Sequence, residues 1–264
     1  MNKIVVIGQN SRLSKVLLSL SDNSISVPKE IYVNWKNENV LSELVLTFEG
    51  STVFITKGVL NRQENLANIM DWNYSFPRLI IDEIIRSDVK CNVVTFGSIH
   101  ELTSIDNPYL NSKRKLSSYV NLIERPNVKH FRLHTIFGEG LPVSHMFIGQ
   151  IYSSLKTGTL FQMTAGAQLR QYHDYETLAS HVLKSVKNLE SLPSCYNVNG
   201  PYWISLREIA VAVFREFSKE ELLRINELSI PSNEVMDVDK SLLTTCNFDE
   251  PIPLLLDYFK KLLK

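Results

Sequence analysis

The chain shows no surplus of either charge: 28 lysines and arginines stand against 28 aspartates and glutamates in 264 residues, so the formal net charge is zero. Nucleic acid and anionic membrane surfaces are bound through broad basic fields. Neither is therefore an expected partner, and an anionic ligand has to be met by a few locally placed groups. Cysteine is scarce. Cys91, Cys195 and Cys246 are widely separated, odd in number and without metal-ligand spacing. That argues against a disulfide framework, leaves no expected metal site and fits a reducing cytoplasm. Long apolar runs, signal-peptide patterns, repeats, low-complexity tracts and linkers are missing as well, so the expectation is an untargeted cytoplasmic protein. At this length the chain can bury a substantial core, as one large α/β domain or as a core with a small appended lobe.

What is there begins with Lys3-Ile4-Val5-Val6-Ile7-Gly8, an apolar run closed by glycine, followed by helical spacing from Leu13 to Leu20. This is the β-turn-α opening of a dinucleotide-binding fold. A regular fingerprint has three glycines, for tight turning, close backbone approach to pyrophosphate and helix packing; only the first, Gly8, is kept. Arg12 offers a guanidinium at the turn that can pair bidentately with an anion. The pattern predicts a second strand over Glu30–Lys36, ending beside the adenosine ribose. An acid there selects NAD, whereas Asn34, Trp35 and Lys36 favour NADP, with NAD as the alternative. A short helix over Leu41–Glu49, a strand and turn over Ser51–Gly58, and helices over Asn61–Met70 and Tyr74–Arg86 follow.

Tyr109 and Lys113 then stand four residues apart at the start of a helical stretch, which puts a phenol and an ammonium on one face. A tyrosine ionises near pH ~10 and a neighbouring cation lowers that value, which suits the phenol to trading protons with an alcohol or carbonyl. Upstream, Asn92–Ser98 reads as a buried strand ending in a small hydroxyl residue; downstream, His130–Gly140 reads as a strand followed by a glycine turn. Strand-Ser, then Tyr-x-x-x-Lys, then Arg-Leu-x-x-x-Phe-Gly-x-Gly resembles the extended short-chain dehydrogenase/reductase family, the sugar-nucleotide epimerases, dehydratases and reductases.

The resemblance implies a Rossmann-like fold of the α/β class with a doubly wound parallel sheet. Residues 1–140, joined by a later strand at about 194–200, would form the cofactor core, and 141–264 a smaller, mainly substrate-binding lobe. In register with the family's Gly-x-x-Gly-x-x-Gly, Ser11 and Ser14 take the second and third places. Gly8, Ser11, Arg12, Leu13, Asn34, Lys36, Thr56, Gly58 and Lys113 are the implied cofactor contacts. The interval before the third strand is short for the family, as if one βα unit were trimmed, and so is the excursion between Ser98 and Tyr109. Tyr109 is implied as the acid or base on a sugar oxygen and Ser98 as a hydrogen-bond partner of that oxygen. Lys113 would hold the nicotinamide ribose and depress the tyrosine pKa. Asn73 matches an asparagine behind the family's active site, or serves as a helix cap. The segment Gln168–Ala179 resembles the family's Arg-Asp-Phe-x-His-Val-x-Asp-Leu-Ala; Arg170 and Tyr172 match, and Arg170 would reach the diphosphate of a nucleotide-linked sugar.

The residues after Ser98 bear on reaction type. Family dehydratases carry an acid pair there, and Ile99 and His100 stand in its place, which disfavours dehydration. His100, with a pKa near neutrality, would serve an epimerase/reductase, while a plain 4-keto reductase needs neither residue. The expected activity is NADP-dependent reduction of a nucleotide-diphosphate-linked 4-ketosugar. The enzyme alternative is an epimerase or epimerase/reductase, and the alternative of another class is a non-catalytic NADP-binding regulatory protein. Further expectations are a helix beginning in His145–Tyr152, a turn into a strand over Lys156–Met163, a late strand at Tyr196–Gly200, and a helix capped by Ser205. A charged helix over Phe217–Asn226, mixed turns over 227–251 and an amphipathic, core-packing helix over Leu254–Leu263 complete the chain. A homodimer would form across Tyr74–Ile85 and Tyr109–Val120, with Leu79, Ile80, Ile84, Leu116 and Val120 as its apolar stripe.

Overall fold

The apolar runs of the first half become strands covered on both faces, as a parallel sheet flanked by helices requires. The computed structural model describes residues 3–60, 64–229 and 246–264. In chain order the strands are β1 (Lys3–Ile7), β2 (Ser24–Val27), β3 (Ser51–Ile55), β4 (Asn92–Ser98), β5 (Val128–Leu133), β6 (Thr135–Phe137), β7 (Phe161–Met163), β8 (Leu169–Arg170), β9 (Tyr172–Asp174), β10 (Cys195–Asn197), β11 (Ile204–Ser205) and β12 (Leu223–Ile225). The helices are α1 (Arg12–Ser19), α2 (Lys29–Tyr32), α3 (Glu38–Leu46), α4 (Leu66–Met70), α5 (Phe76–Arg86), α6 (Pro108–Ile123), α7 (Phe147–Thr157), α8 (Tyr175–Ser185), α9 (Leu206–Glu216) and α10 (Pro251–Leu263). The chain divides into two compact units, Met1–Leu133 with Ala179–Val198, and His134–Leu178 with Asn199–Lys264.

The first unit is a six-stranded sheet in the order β2-β1-β3-β4-β5-β10, parallel throughout. It is an α/β, Rossmann-like, doubly wound fold. The classic order carries a third strand outside the second. Here β2 is the edge, and only α2 and α3 separate it from β3 in the chain, which is the trimmed βα unit that the short interval implied. One core cluster joins Val5, Ile7, Val53, Ile55 and Val93 of the strands to Phe76, Ile80 and Ile84 of α5 and Leu116 and Val120 of α6. Across α3 and α5, the buried Glu83 accepts hydrogen bonds from Ser42 (2.7 Å) and Ser87 (2.9 Å) and pairs with Arg86.

Three expectations change in this unit. Glu30–Lys36 is not a strand: β2 is the more polar Ser24–Val27, and Pro28 leads into the helical turn of α2. Tyr32 and Trp35, 2 % and 5 % exposed, are buried at the three-residue spacing of a helical turn, not at the alternation of a strand. The two helices expected around residues 61–86 form a single run over the described part, with a π-helical turn at Asp71–Ser75 between α4 and α5; residues 61–63 lie outside the described residues. The apolar stripe proposed for a dimer is also used up. Ile80, Ile84, Leu116 and Val120 are buried in the chain's own core, and only Leu79 is exposed, at 37 %.

The second unit pairs its short strands two by two: β6 with β9 and β7 with β12 in parallel, β8 with β11 antiparallel. The strand expected over His130–Phe137 is thus divided at His134, whose Nε2 lies 2.8 Å from the Asn199 side chain. Ser205 caps α9 with the reciprocal Ser205–Glu208 capping box. Phe217–Asn226 is not a helix; it forms a single 3-10 turn, Glu220–Leu222, and β12. Of the mixed stretch 227–251, residues 230–245 lie outside the described residues. The helix α10 buries Leu255, Tyr258 and Phe259 in a cluster with Phe161, Phe214 and Val213, as its amphipathic pattern implied. Among the described residues no helix is long and apolar enough to cross a membrane.

Candidate active site

The turn after β1 shows how serines replace glycines. Gly8 has φ of 111°, and a Cβ there would lie 2.8 Å from Lys57 Cα, so this position requires glycine. Ser14 is wholly buried, and its hydroxyl meets the Gly8 carbonyl at 2.8 Å, Ser11 Oγ at 2.6 Å and Thr56 Oγ1 at 2.5 Å. Thr56 Oγ1 also lies 3.0 Å from the Ile7 carbonyl. Ser11 Oγ caps α1 by accepting the Ser14 N–H at 3.1 Å. The side chains the fingerprint would omit thus satisfy the polar groups of the turn. Arg12 and Leu13 are the first residues of α1, the end of a helix that favours negative charge. The Leu13 side chain itself is buried, 7 % exposed.

Asn34 and Lys36 do not stand at the end of β2. Asn34 Nδ2 donates to the Glu30 carbonyl at 3.0 Å, and exposed Lys36 pairs with Asp71 at 2.6 Å. The strand ends instead at Val27, followed by Pro28 and Lys29. Lys29 faces Lys57, which stacks over the Trp72 ring at 4.7 Å. Burial, and then the charge of Lys29, pull the Lys57 ammonium below its ordinary value.

At the end of β4, Ser98 caps the 3-10 turn Ile99–Leu102: its Oγ accepts the His100 N–H at 3.3 Å, which leaves the hydroxyl hydrogen to donate elsewhere. Half-buried His100 lies in this turn. The segment from the turn to α6 is fastened by Arg114, whose guanidinium donates to the carbonyls of Glu101 (2.9 Å), Thr103 (2.6 Å) and Ile105 (2.8 Å). Asn107 caps α6, and half-buried Tyr109 and buried Lys113 follow on its first turns. Lys113 Nζ donates to the Phe96 carbonyl at 2.7 Å. A Cβ on Gly58 would come within 3.6 Å of that ammonium and 2.9 Å of Asn73 Oδ1. Asn73 is not a helix cap. Within the π-helical turn it accepts the Val59 N–H (2.8 Å) and donates to the Val59 carbonyl (3.0 Å) and Ser112 Oγ (3.2 Å), joining the loop after β3 to α6. Ser98, Tyr109, Lys113, Gly58 and Asn73 therefore belong to one unit and one end of its sheet.

Glu101 and His130, neither of them singled out from sequence, meet here together with Arg132, the arginine of the Arg-Leu-x-x-x-Phe-Gly-x-Gly motif. Glu101 accepts the Ser98 N–H at 2.7 Å and Arg132 Nε–H at 3.1 Å. Burial alone would raise its pKa, yet His130, the Ser98 N–H and Arg132 hold it at about 2. Burial lowers the His130 pKa against the pull of Glu101, and Arg132 brings a lasting positive charge to the same carboxylate. Ser98-Ile-His-Glu101 is the serine-x-x-glutamate capping box, and that signal is legible in the sequence; the meeting with β5 is not.

In the second unit, Arg170 lies half-buried on β8, with Nη1 2.8 Å from the Leu169 carbonyl. Tyr172 is 4 % exposed within the cluster of Phe137, Ile204 and Phe259, and burial pushes its phenol up. The phenol that the match to the family segment put among the substrate-binding residues thus packs in the core of this unit. Among the described residues no His/Cys/Asp/Glu group could hold a metal.

No family model matches the chain, and no curated protein matches its sequence. Solved structures do. The WbmG enzyme of Bordetella bronchiseptica in complex with NAD superposes with TM-score 0.76 at 14 % identity, covering 99 % of this chain and 95 % of that one. UDP-N-acetylglucosamine 4-epimerase of Methanobrevibacter ruminantium, in complex with UDP-N-acetylmuramic acid, gives 0.77 at 12 %, covering 99 % and 98 %. RMD from Pseudomonas aeruginosa, complexed with NADPH, gives 0.76 at 14 %, covering 99 % of each chain. The chain has their fold.

The buried ammonium has a measurable consequence. Burial draws Lys113 down from 10.5 to about 8, against the raising effect of Glu101. Between those values the unfolded chain binds more protons than the folded one, so folding stability rises with pH across that window. Lys113→Met removes this contribution. In denaturant titrations the stability of the wild type relative to the variant should increase from pH 8 to 10.5; a pH-independent difference would contradict a buried charge.

Proposed function

We propose that the chain is an NADP-dependent reductase of a nucleotide-diphosphate-linked 4-ketosugar. The observation that carries it is the Lys113 ammonium, enclosed at the end of β4 one helical turn after Tyr109 and on the same strand end as Ser98. The donors around the first turn fit a dinucleotide: the opening N–H groups of α1, Arg12 beside them, and the close approach at Gly8 and Gly58. A bound nicotinamide supplies the hydride. Lys113 orients its ribose and lowers the Tyr109 pKa, Tyr109 gives a proton to the sugar carbonyl oxygen, and Ser98 donates a hydrogen bond to that oxygen. In the second unit, Arg170 is our candidate for the diphosphate.

Two features support reduction over dehydration. Neither Ile99 nor His100 is a carboxylic acid, and the Glu101 carboxylate is held ionised by Arg132 and the Ser98 N–H, so it has no proton to give near neutrality. The half-buried His100 keeps epimerisation as the second reading. For the coenzyme, Lys29 and Lys57, two cations that act on each other, take the place of Asn34 and Lys36 as our candidates for a 2′-phosphate. For assembly, we propose a homodimer across α5 and α6 through a polar aromatic face. There Tyr119 donates to Asp82 at 2.5 Å and Arg78 lies over the Tyr74 and Tyr119 rings at 5.9 and 5.6 Å.

Tyr109→Phe should keep cofactor binding and lose on the order of 10²-fold or more in turnover on 4-ketosugar nucleotides, the scale of a positioned acid/base. Wild-type turnover in this variant would remove the catalytic assignment, and an active wild type that only interconverts epimers would select the second reading. NADPH should bind more tightly than NADH by calorimetry. Lys57→Met or Arg12→Ala should each weaken NADPH selectively by ~1.5–3 kcal/mol, as expected for a charged hydrogen bond to phosphate; equal dissociation constants in the wild type would reject the NADP reading. Light scattering at micromolar concentration should give twice the mass of the chain, whereas a monomer would reject the dimer.

A further inference from the structure

Gly97 shows how closely the end of β4 is packed. A Cβ there would overlap the Glu101 carboxylate and the His130 ring, so these two side chains occupy the space that any larger residue would need. The Glu101 side chain is 1 % exposed and that of His130 0 %. Both carboxylate oxygens lie 3.2 Å from His130 Nε2, while His130 Nδ1 is 2.8 Å from Thr95 Oγ1. A neutral ring with its hydrogen on Nε2 donates to the carboxylate and accepts from the threonine. Arg132, which donates to the same carboxylate, also meets Asn197 of β10 at 3.4 Å. The Phe96 carbonyl takes the Lys113 ammonium and the Ser98 N–H gives to Glu101, so an enclosed cation and an enclosed anion are tied to β4 on either side of Gly97.

We infer that Glu101 is a positioning residue: it fixes the backbone of Ser98, and it is the counter-charge that keeps the enclosed Lys113 protonated. The catalytic use of this arrangement rests on the oxidoreductase reading; the charge balance does not. A buried ammonium on a single carbonyl is poorly compensated and requires an anion in the same enclosure. Glu101 of the 3-10 turn acts on Lys113 by its charge, and Lys113 in turn acts on His130 of β5; Arg132 of β5 meets the same carboxylate, and Tyr109 lies one turn earlier on α6. Glu101 is the carboxylate among them, and its charge acts to raise Lys113. Arg132 is a second cation on the same acid. The balance of two cations and one anion therefore makes Lys113 sensitive to either partner.

The test reads Lys113 itself, in the protein without cofactor or substrate. Lysine-labelled protein is titrated by NMR, and the Lys113 resonance is assigned by its loss in Lys113→Met. In Glu101→Gln, which keeps size and the acceptor for Ser98 but not the charge, the Lys113 midpoint should fall by about one pH unit or more, a tenfold change in its proton affinity. An unchanged midpoint overturns the proposal. Arg132→Gln should move the midpoint upward, and this opposite sign decides the matter if Glu101→Gln does not fold; no movement there overturns it as well. Glu101→Asp keeps the charge but cannot span to the Ser98 N–H. It should leave the midpoint near that of the wild type while lowering kcat about tenfold or more, the scale of one misplaced hydrogen bond; an unchanged kcat removes the role at Ser98. Because the NMR midpoints need no turnover, a failure of the reductase reading would be seen separately.

Discussion

A lysine ammonium enclosed by protein has to be compensated where it stands, and the end of the sheet is arranged around that need. Lys113 reaches the Phe96 carbonyl only because α6 lies against β4, and α6 is fastened there by Arg114 on the preceding segment and by Asn73 through Ser112. Glycine at 58 leaves room beside the ammonium, and glycine at 97 leaves room for Glu101 and His130. The parallel register of β4 and β5, with Thr95 opposite His130 and Gly97 opposite Arg132, sets the remaining charges beside the acid. Removing the carboxylate from this arrangement leaves a buried cation without its counter-charge, a heavier penalty than the loss of one contact.

The turn after β1 solves a related problem with different chemistry. A dinucleotide turn built on glycines relies on absent side chains to let backbones approach. Here Ser14 takes up that space with a hydroxyl that satisfies Gly8, Ser11 and Thr56 together, and only Gly8, with its positive φ, is left with a steric requirement. The loop therefore holds its shape by hydrogen bonds made in the protein alone. In a chain of zero net charge, attraction of an anion falls to single cations and not to a global field.

What the sequence determined by itself was whatever depends on spacing along the chain. The strand-glycine opening, the strand ending at Ser98, the four-residue step from Tyr109 to Lys113 on one helix and the cap at Ser205 are local patterns, and periodicity reports them. The edge strand misled. Ser24–Val27 is half polar because an edge is only partly covered, while the aromatic stretch Glu30–Lys36 looked like a strand although Tyr32 and Trp35 turn inward at helical spacing. The tertiary structure decided which groups meet across long intervals. Glu101 and His130 are 29 residues apart and Lys36 and Asp71 are 35, so no local pattern could say that the first pair would lie beneath Ser98 or that the second would withdraw Lys36 from the end of β2. It also decided that Tyr172 would be core and that Ile80, Ile84, Leu116 and Val120 would be spent inside, because an apolar pattern states that a face is buried and leaves open what buries it.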